Sequence, residues 1–142
     1  MSNLMVASSS FYGAALLIVL SVAVVYCTRR QFLPYHSVAI SRSWLELDEG
    51  QRQLLLALIH LVGWAWVAIA FAGFALLGAW HEQPGLVMAL QALITLGTGP
   101  VIWVSTRVRL RTGASPPTFG CWIVLGLSLA GFLLAWPVWS QV

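Results

Sequence analysis

The stretch from Leu54 to Ala79, LLLALIHLVGWAWVAIAFAGFALLGA, contains no Asp, Glu, Lys or Arg, and His60 is its only ionisable side chain. As a helix rising about 1.5 Å per residue it is roughly 39 Å long, against a bilayer hydrocarbon core of about 30 Å. A helix of that length and composition crosses a membrane with tilt or with one end protruding. The rest of the chain is of the same kind. Of 142 residues, 60% are apolar and 8% are charged, where a soluble domain carries about 25% charge. A water-soluble fold of this size would have to leave its exterior apolar. Hydrocarbon as solvent removes that conflict. The sequence therefore predicts an all-α, integral-membrane four-helix bundle, a single transmembrane domain over residues 1–142 with no linker, internal repeat or low-complexity segment.

The predicted spans are residues 11–27, 54–79, 86–105 and 119–136, with long connections at 28–53 and 106–118. All seven basic residues are arginines. Arg29, Arg30, Arg42 and Arg52 fall in the first connection, and Arg107, Arg109 and Arg111 in the second. Four spans bring these two loops to the same side, which by the positive-inside rule is cytoplasmic, with both termini outside. The formal charge of +3 then points to anionic lipid rather than nucleic acid. Arg29, Arg30, Arg42, Arg107, Arg109 and Arg111 are the expected headgroup contacts, at about 1 kcal/mol each. Aromatic residues fit the same topology. Tyr26, Trp44, Trp103 and Trp122 map to an inner interfacial belt, and Phe11, Tyr12, Trp80, Trp136 and Trp139 to an outer one.

Met1 to Ser10 has no basic residue, and Arg29 and Arg30 follow the first apolar run instead of preceding it. That order predicts a retained helix rather than a secretory signal. Within it, Ser10, Gly13, Leu17, Ser21 and Val24 form a helical stripe that would let a neighbour approach closely. In the long connection, Pro34 opposes an early continuous helix. Ser43 with Glu46, and Asp48 with Gln51, have capping-box spacing. Trp44, Leu45 and Leu47 suit either a short helix on the membrane surface or one anchor in a solvated connector. Residues 81–85, His-Glu-Gln-Pro-Gly, predict a tight outer turn. Gly97, Thr98, Gly99 and Pro100 predict a kink or local unwinding of the third span. Pro116 and Pro117 open the last span, and Pro137 is expected to end it. Cys27 and Cys121 read as packing residues on a reducing side.

Three features break the apolar background. The first is His60, which shares a helical face with Trp64, Val67, Phe71 and Phe74. An adjoining face carries a smooth ridge of Ala65, Ala68, Ala72, Ala75 and Ala79. An intramembrane histidine is a candidate site: a ligand to haem or chlorophyll, or a donor to a quinone or lipid headgroup. The alternative is a neutral imidazole bonded to a polar group on a neighbouring helix. Trp64 and Trp66 lie deep in the span, away from either belt, so specific packing partners are expected. The second feature is the polar stripe Gln91, Thr95, Thr98 and Ser105, which must face protein or water. It serves interhelical hydrogen bonds, or a pocket beside Pro100. The third is the small-residue stripe Cys121, Val124, Ser128, Gly131 and Ala135, a packing seam within the bundle or against another protein.

No Asp or Glu falls in any predicted span, so ion-coupled transport lacks its usual carrier. The sequence shows no metal-ligand constellation, no nucleophile beside a base and no phosphate loop. An enzyme reading would rest on His60 or on loop residues, without a recognised arrangement.

Two segments, Arg42-Ser43-Trp44 through Leu54–Leu58 and Gly63, and Arg111-Thr112-Gly113-Ala114-Ser115-Pro116-Pro117, carry a family likeness. They resemble a group of small four-helix bacterial inner-membrane proteins with no assigned biochemical role. The likeness covers roughly the last hundred residues. It implies four spans in a bacterial inner (cytoplasmic) membrane and supplies no catalytic or binding residues.

The resulting expectation is an accessory or assembly subunit of a larger inner-membrane complex. It would meet other integral membrane proteins through small-residue and aromatic helix faces. The alternative is a binder of an apolar small molecule, a quinone, lipid or pigment, held between His60, Trp64 and the Gln91–Pro100 face. A transporter or enzyme built on a broken third span is the third reading. No cofactor or metal is predicted.

Overall fold

The computed structural model describes residues 3–80, 83 and 85–139, with 138 and 139 described by backbone alone. Of the predicted outer turn, His81, Glu82 and Pro84 lie outside the described residues. Five α-helices follow one another: α1 Asn3–Cys27, α2 Pro34–Ile40, α3 Glu49–Ala79, α4 Leu86–Thr112 and α5 Phe119–Trp139. A single 3-10 turn, Trp44–Glu46, stands between α2 and α3. Four of the helices, α1, α3, α4 and α5, are long and apolar enough to cross a membrane.

Local chemistry sets most helix ends. Asp48 caps α3 by accepting the Gln51 backbone N–H at 2.8 Å, and Gln51 Oε1 accepts the Asp48 N–H at 3.4 Å. That is the predicted capping box. Ser43 and Glu46 also meet, with the Ser43 N–H donating to Glu46 Oε2 at 2.8 Å. They open the 3-10 turn rather than a surface helix. Pro34 starts α2 at the position where its missing N–H is harmless.

Several helices run beyond the predicted spans. α1 begins at Asn3 and not at Phe11, because Ser10 returns its hydroxyl to the Val6 carbonyl at 2.9 Å and so does not interrupt the helix. α4 continues past Ser105 to Thr112 and ends at Gly113, whose φ of 70° suits glycine. Arg107, Arg109 and Arg111 therefore ride on the last turns of a helix rather than in a loop. There they face the negative end of its dipole. No unwinding occurs at Gly97–Pro100, and Pro137 does not end α5. A proline removes one donor at a cost of about 3 kcal/mol, which a span held by packing tolerates.

The four long helices form a ring in which α1 packs on α3 and α5, and α4 packs on the same two. The core lies on the α1 face of Tyr12, Ala15, Leu16, Val19 and Ala23. Against it stand Trp66, Ala70 and Trp80 of or just after α3, Leu90 and Ile94 of α4, and Val124 and Ala135 of α5. Tyr12 and Trp80 are thus core residues, their rings meeting edge-on at 5.9 Å, and not belt anchors. Trp103, Trp122 and Trp136 are half exposed or more.

The stripe Cys121–Ala135 packs inward as expected, with Val124, Ser128, Gly131 and Ala135 buried. The stripe Ser10–Val24 does not. Leu17 is 58% exposed and Val24 52% exposed, and Ser21 bonds only to its own helix, at the Leu17 carbonyl. The packed face of α1 lies to one side of that stripe.

Candidate functional site

Two polar clusters occupy opposite ends of the bundle. At the end that holds Tyr12 and Trp80, the Tyr12 hydroxyl donates to Gln91 Oε1 at 3.0 Å, across the diagonal of the ring from α1 to α4. Gln91 Nε2 donates to Ser128 Oγ of α5 at 3.3 Å and to Thr95 Oγ1 at 3.2 Å. Ser128 donates onward to the Leu125 carbonyl, and nearby Ser8 donates to the Gly131 carbonyl. Thr98 is buried and returns its hydroxyl to the Ile94 carbonyl at 2.7 Å. Gln91, Thr95 and Thr98 therefore spend their polar groups on one another, on their own helix and on neighbouring helices. This is interhelical bonding, the first of the two readings of that stripe.

His60 belongs to the other end. Its Nε2 lies 2.9 Å from the Arg29 carbonyl, just beyond α1. A carbonyl only accepts, so the imidazole donates from Nε2. It ties α3 to a backbone group that α1's end leaves without a helical donor. Tyr12 and Arg29 stand more than about 20 Å apart along the α1 direction, so His60 and Gln91 do not share a cavity. Trp66 is buried in the core, at 7% exposure, while Trp64 is 64% exposed. Of the pocket expected between His60, Trp64 and the Gln91–Pro100 face, the structure holds His60 and Gln91 apart and brings Pro100 to a groove between α3 and α4.

The groove, at the arginine-bearing end, has a volume of about 430 Å³, within the range of small-molecule sites. Leu55, Leu58, Ile59 and Val62 of α3 form one wall, and Pro100, Val101, Val104 and Ser105 of α4 the other. Tyr26, Tyr35 and His36 close it. The Tyr26 and Tyr35 hydroxyls are 3.1 Å apart, so one donates to the other and one hydroxyl proton stays available. Burial and the Tyr26 hydroxyl raise the Tyr35 pKa, keeping the phenol neutral. Burial lowers the His36 pKa. Its Nδ1 accepts the Leu33 N–H at 3.1 Å, which leaves Nε2–H as a second donor. Sequence reasoning placed Tyr26 in the inner interfacial belt and gave Tyr35 and His36 no site role. The available signal was Pro34 followed by two ring side chains, which builds α2 and turns both rings toward α1 and α4.

The arginines gather at this end. Arg29, Arg30, Arg42, Arg107, Arg109 and Arg111 are exposed. Arg52 is occupied, donating from Nε to the Trp44 carbonyl at 3.1 Å and from Nη2 to the Leu45 carbonyl at 2.8 Å. Arg107 lies over the Trp103 ring at 4.8 Å. Cys27 and Cys121 are free thiols. Among the described residues no group of His, Cys, Asp and Glu is arranged to hold a metal ion.

These features define an all-α protein with four helices fit to cross a membrane. Comparison with family models, curated proteins and solved structures finds no match.

Proposed function

We propose that the protein is an accessory subunit of a larger membrane complex, docked through the outer face of α3 onto a transmembrane helix of another integral membrane protein. The observation that carries this reading is an uninterrupted seam. Leu54, Leu58, Leu61, Ala65, Ala68, Ala72, Ala75 and Ala79 recur at alternating spacings of four and three, and every one is exposed. That 3.5-residue period is the one by which two helices stay in register. Lipid contact demands no such period. Alanines over the outer half also let a second backbone come close.

Trp64 supports the same face. It flanks the alanine ridge with Phe71, which is 69% exposed. Its position is about 15 Å along α3 from Leu54, near mid-span. Among the described residues nothing accepts its indole N–H, and a bare donor in hydrocarbon costs several kcal/mol. A partner helix that supplies a carbonyl or hydroxyl removes that cost.

The arginines gathered at one end support a cytoplasmic orientation for that end, with both chain termini opposite. A bacterial inner membrane is part of this proposal. Photocrosslinking in intact membranes tests the docking. A photoreactive residue at Ala68 or Ala72 gives a discrete adduct with a different protein, while one at Leu133 of α5, which is 61% exposed, gives only lipid adducts. Lipid adducts alone at Ala68 and Ala72, or adducts solely with a second copy of this chain, refute the proposal.

A further inference from the structure

The groove between α3 and α4 at the arginine-bearing end carries a separate assignment. The geometry points to a specific site for one anionic glycerophospholipid, its acyl chain lying between α3 and α4 and its phosphate held at the arginine rim. This goes beyond general headgroup attraction, and although Leu58 borders both surfaces, it does not require a partner on the α3 seam.

The clearest change of chemistry lies on α4. Along one side of that helix the residues change from Val101 and Val104 to Arg107 and Arg111 within about 15 Å. Hydrocarbon chemistry thus passes into headgroup chemistry over the length of a single lipid's upper part. The groove walls are apolar to the depth of Val62 and Pro100. A second hollow, of about 290 Å³ and lined by Arg107 and Arg111, shares Val104 with the groove. A third, of about 440 Å³ and lined by Arg42 and Gln51, shares Leu55 with it. The apolar slot is therefore flanked on both sides by cationic hollows.

The polar groups at the mouth narrow the occupant. The spare hydroxyl proton of the Tyr26–Tyr35 pair and the His36 Nε2–H both donate, so the ligand presents acceptors. Ester carbonyls and phosphate oxygens are such acceptors. A quinone also presents carbonyls but gives the flanking arginines nothing to neutralise. Glu46, Asp48 and Glu49 accept from Ser43, Gln51 and Gln53 close by in sequence, and none of them lines the groove or either flanking hollow. Arg107 and Arg111 on one side and Arg42 on the other leave a cationic rim for a ligand. Arg107, held over the Trp103 ring, is positioned in advance for it.

The test reconstitutes the protein in nanodiscs of mixed phosphatidylcholine and phosphatidylglycerol, releases it gently and weighs it by native mass spectrometry. The expected result is a retained phosphatidylglycerol, preferred over phosphatidylcholine. Val104→Trp, which fills the slot from a half-exposed position, abolishes retention. Arg107→Gln and Arg111→Gln keep a lipid but lower the preference for phosphatidylglycerol by about fivefold for each arginine removed. Absence of retained lipid, equal retention of the two lipids, or retention unchanged in Val104→Trp overturns the assignment. Crosslinking at Ala68 reads the seam independently, so loss of either result leaves the other standing.

Discussion

Gly63 of α3 lies flush against Cys27 of α1. A Cβ at position 63 would stand 2.7 Å from the Cys27 Sγ and 2.9 Å from its backbone nitrogen. The second distance is decisive, because a backbone atom cannot swing aside as a side chain can. Gly63→Ala therefore forces α1 and α3 apart. It is expected to lower stability by about 1–3 kcal/mol, the usual cost of overpacking. Gly78→Ala is the control. Nothing lies within 4 Å of its would-be Cβ, and alanine favours a helix by up to about 1 kcal/mol. Unfolding in mixed micelles measures both, and the two substitutions should move the midpoint in opposite directions.

The Tyr12–Gln91 hydrogen bond spans the ring's diagonal, so it couples two helices that are not among the closely packed neighbours of the ring. Tyr12→Phe and Gln91→Leu each remove it. If the bond acts as a unit, the double variant loses less than the sum of the singles. The expected coupling is about 0.6 kcal/mol, typical of hydrogen bonds between transmembrane helices. A double-mutant cycle on the same unfolding assay reads it, and strict additivity would show that the two groups act apart.

Acid should loosen α2. His36 Nδ1 accepts the Leu33 N–H only while the ring is neutral, and the ring sits against Tyr35 at 4.1 Å and Phe32 at 6.1 Å between centroids. Burial lowers its pKa below the ordinary 6.5, so the folded segment binds fewer protons than the unfolded one. Stability from this source is complete above that value and is lost as pH falls below it. The protection of the Leu33 amide from hydrogen exchange, measured against the intrinsic rate at each pH, should fall on acidification. In His36→Ala that protection should be low at every pH, with no step near the histidine range.

The count and order of the four long apolar helices were legible because charge and proline interrupt a nearly continuous apolar text. Helix faces were only partly legible, for a physical reason. In hydrocarbon the outward face of a span is as apolar as the packed one, so hydropathy does not separate them. Ser128 and Gly131 mark a true interface because one receives Gln91 and the other lies against Tyr12. Ser10 and Ser21 look alike in sequence yet stand exposed, and each hydroxyl bonds only within its own helix. His60 could be foreseen as bonded to a neighbouring helix, but not that its acceptor would be the Arg29 carbonyl. The groove escaped notice because Tyr35 and His36 reach it only through the fold of α2.

The seam on α3 leads to a last prediction that separates association from folding. Ala72 is exposed within the chain, so Ala72→Leu removes no internal contact and adds none. Its effect on the isolated protein's stability should fall within about 0.5 kcal/mol, as for other substitutions on free surface. Against a partner helix the same change places a branched side chain where a backbone must come close. Recovery of the partner with affinity-tagged protein should then collapse. Trp64→Phe gives the complementary measurement. It keeps an aromatic side chain but removes the indole N–H together with the five-membered ring, so recovery should weaken by at least the worth of one hydrogen bond, roughly 1 kcal/mol or fivefold. Equal recovery of the partner by native protein, Ala72→Leu and Trp64→Phe would mean that this face meets lipid alone, and the alanine period would then have no role in assembly.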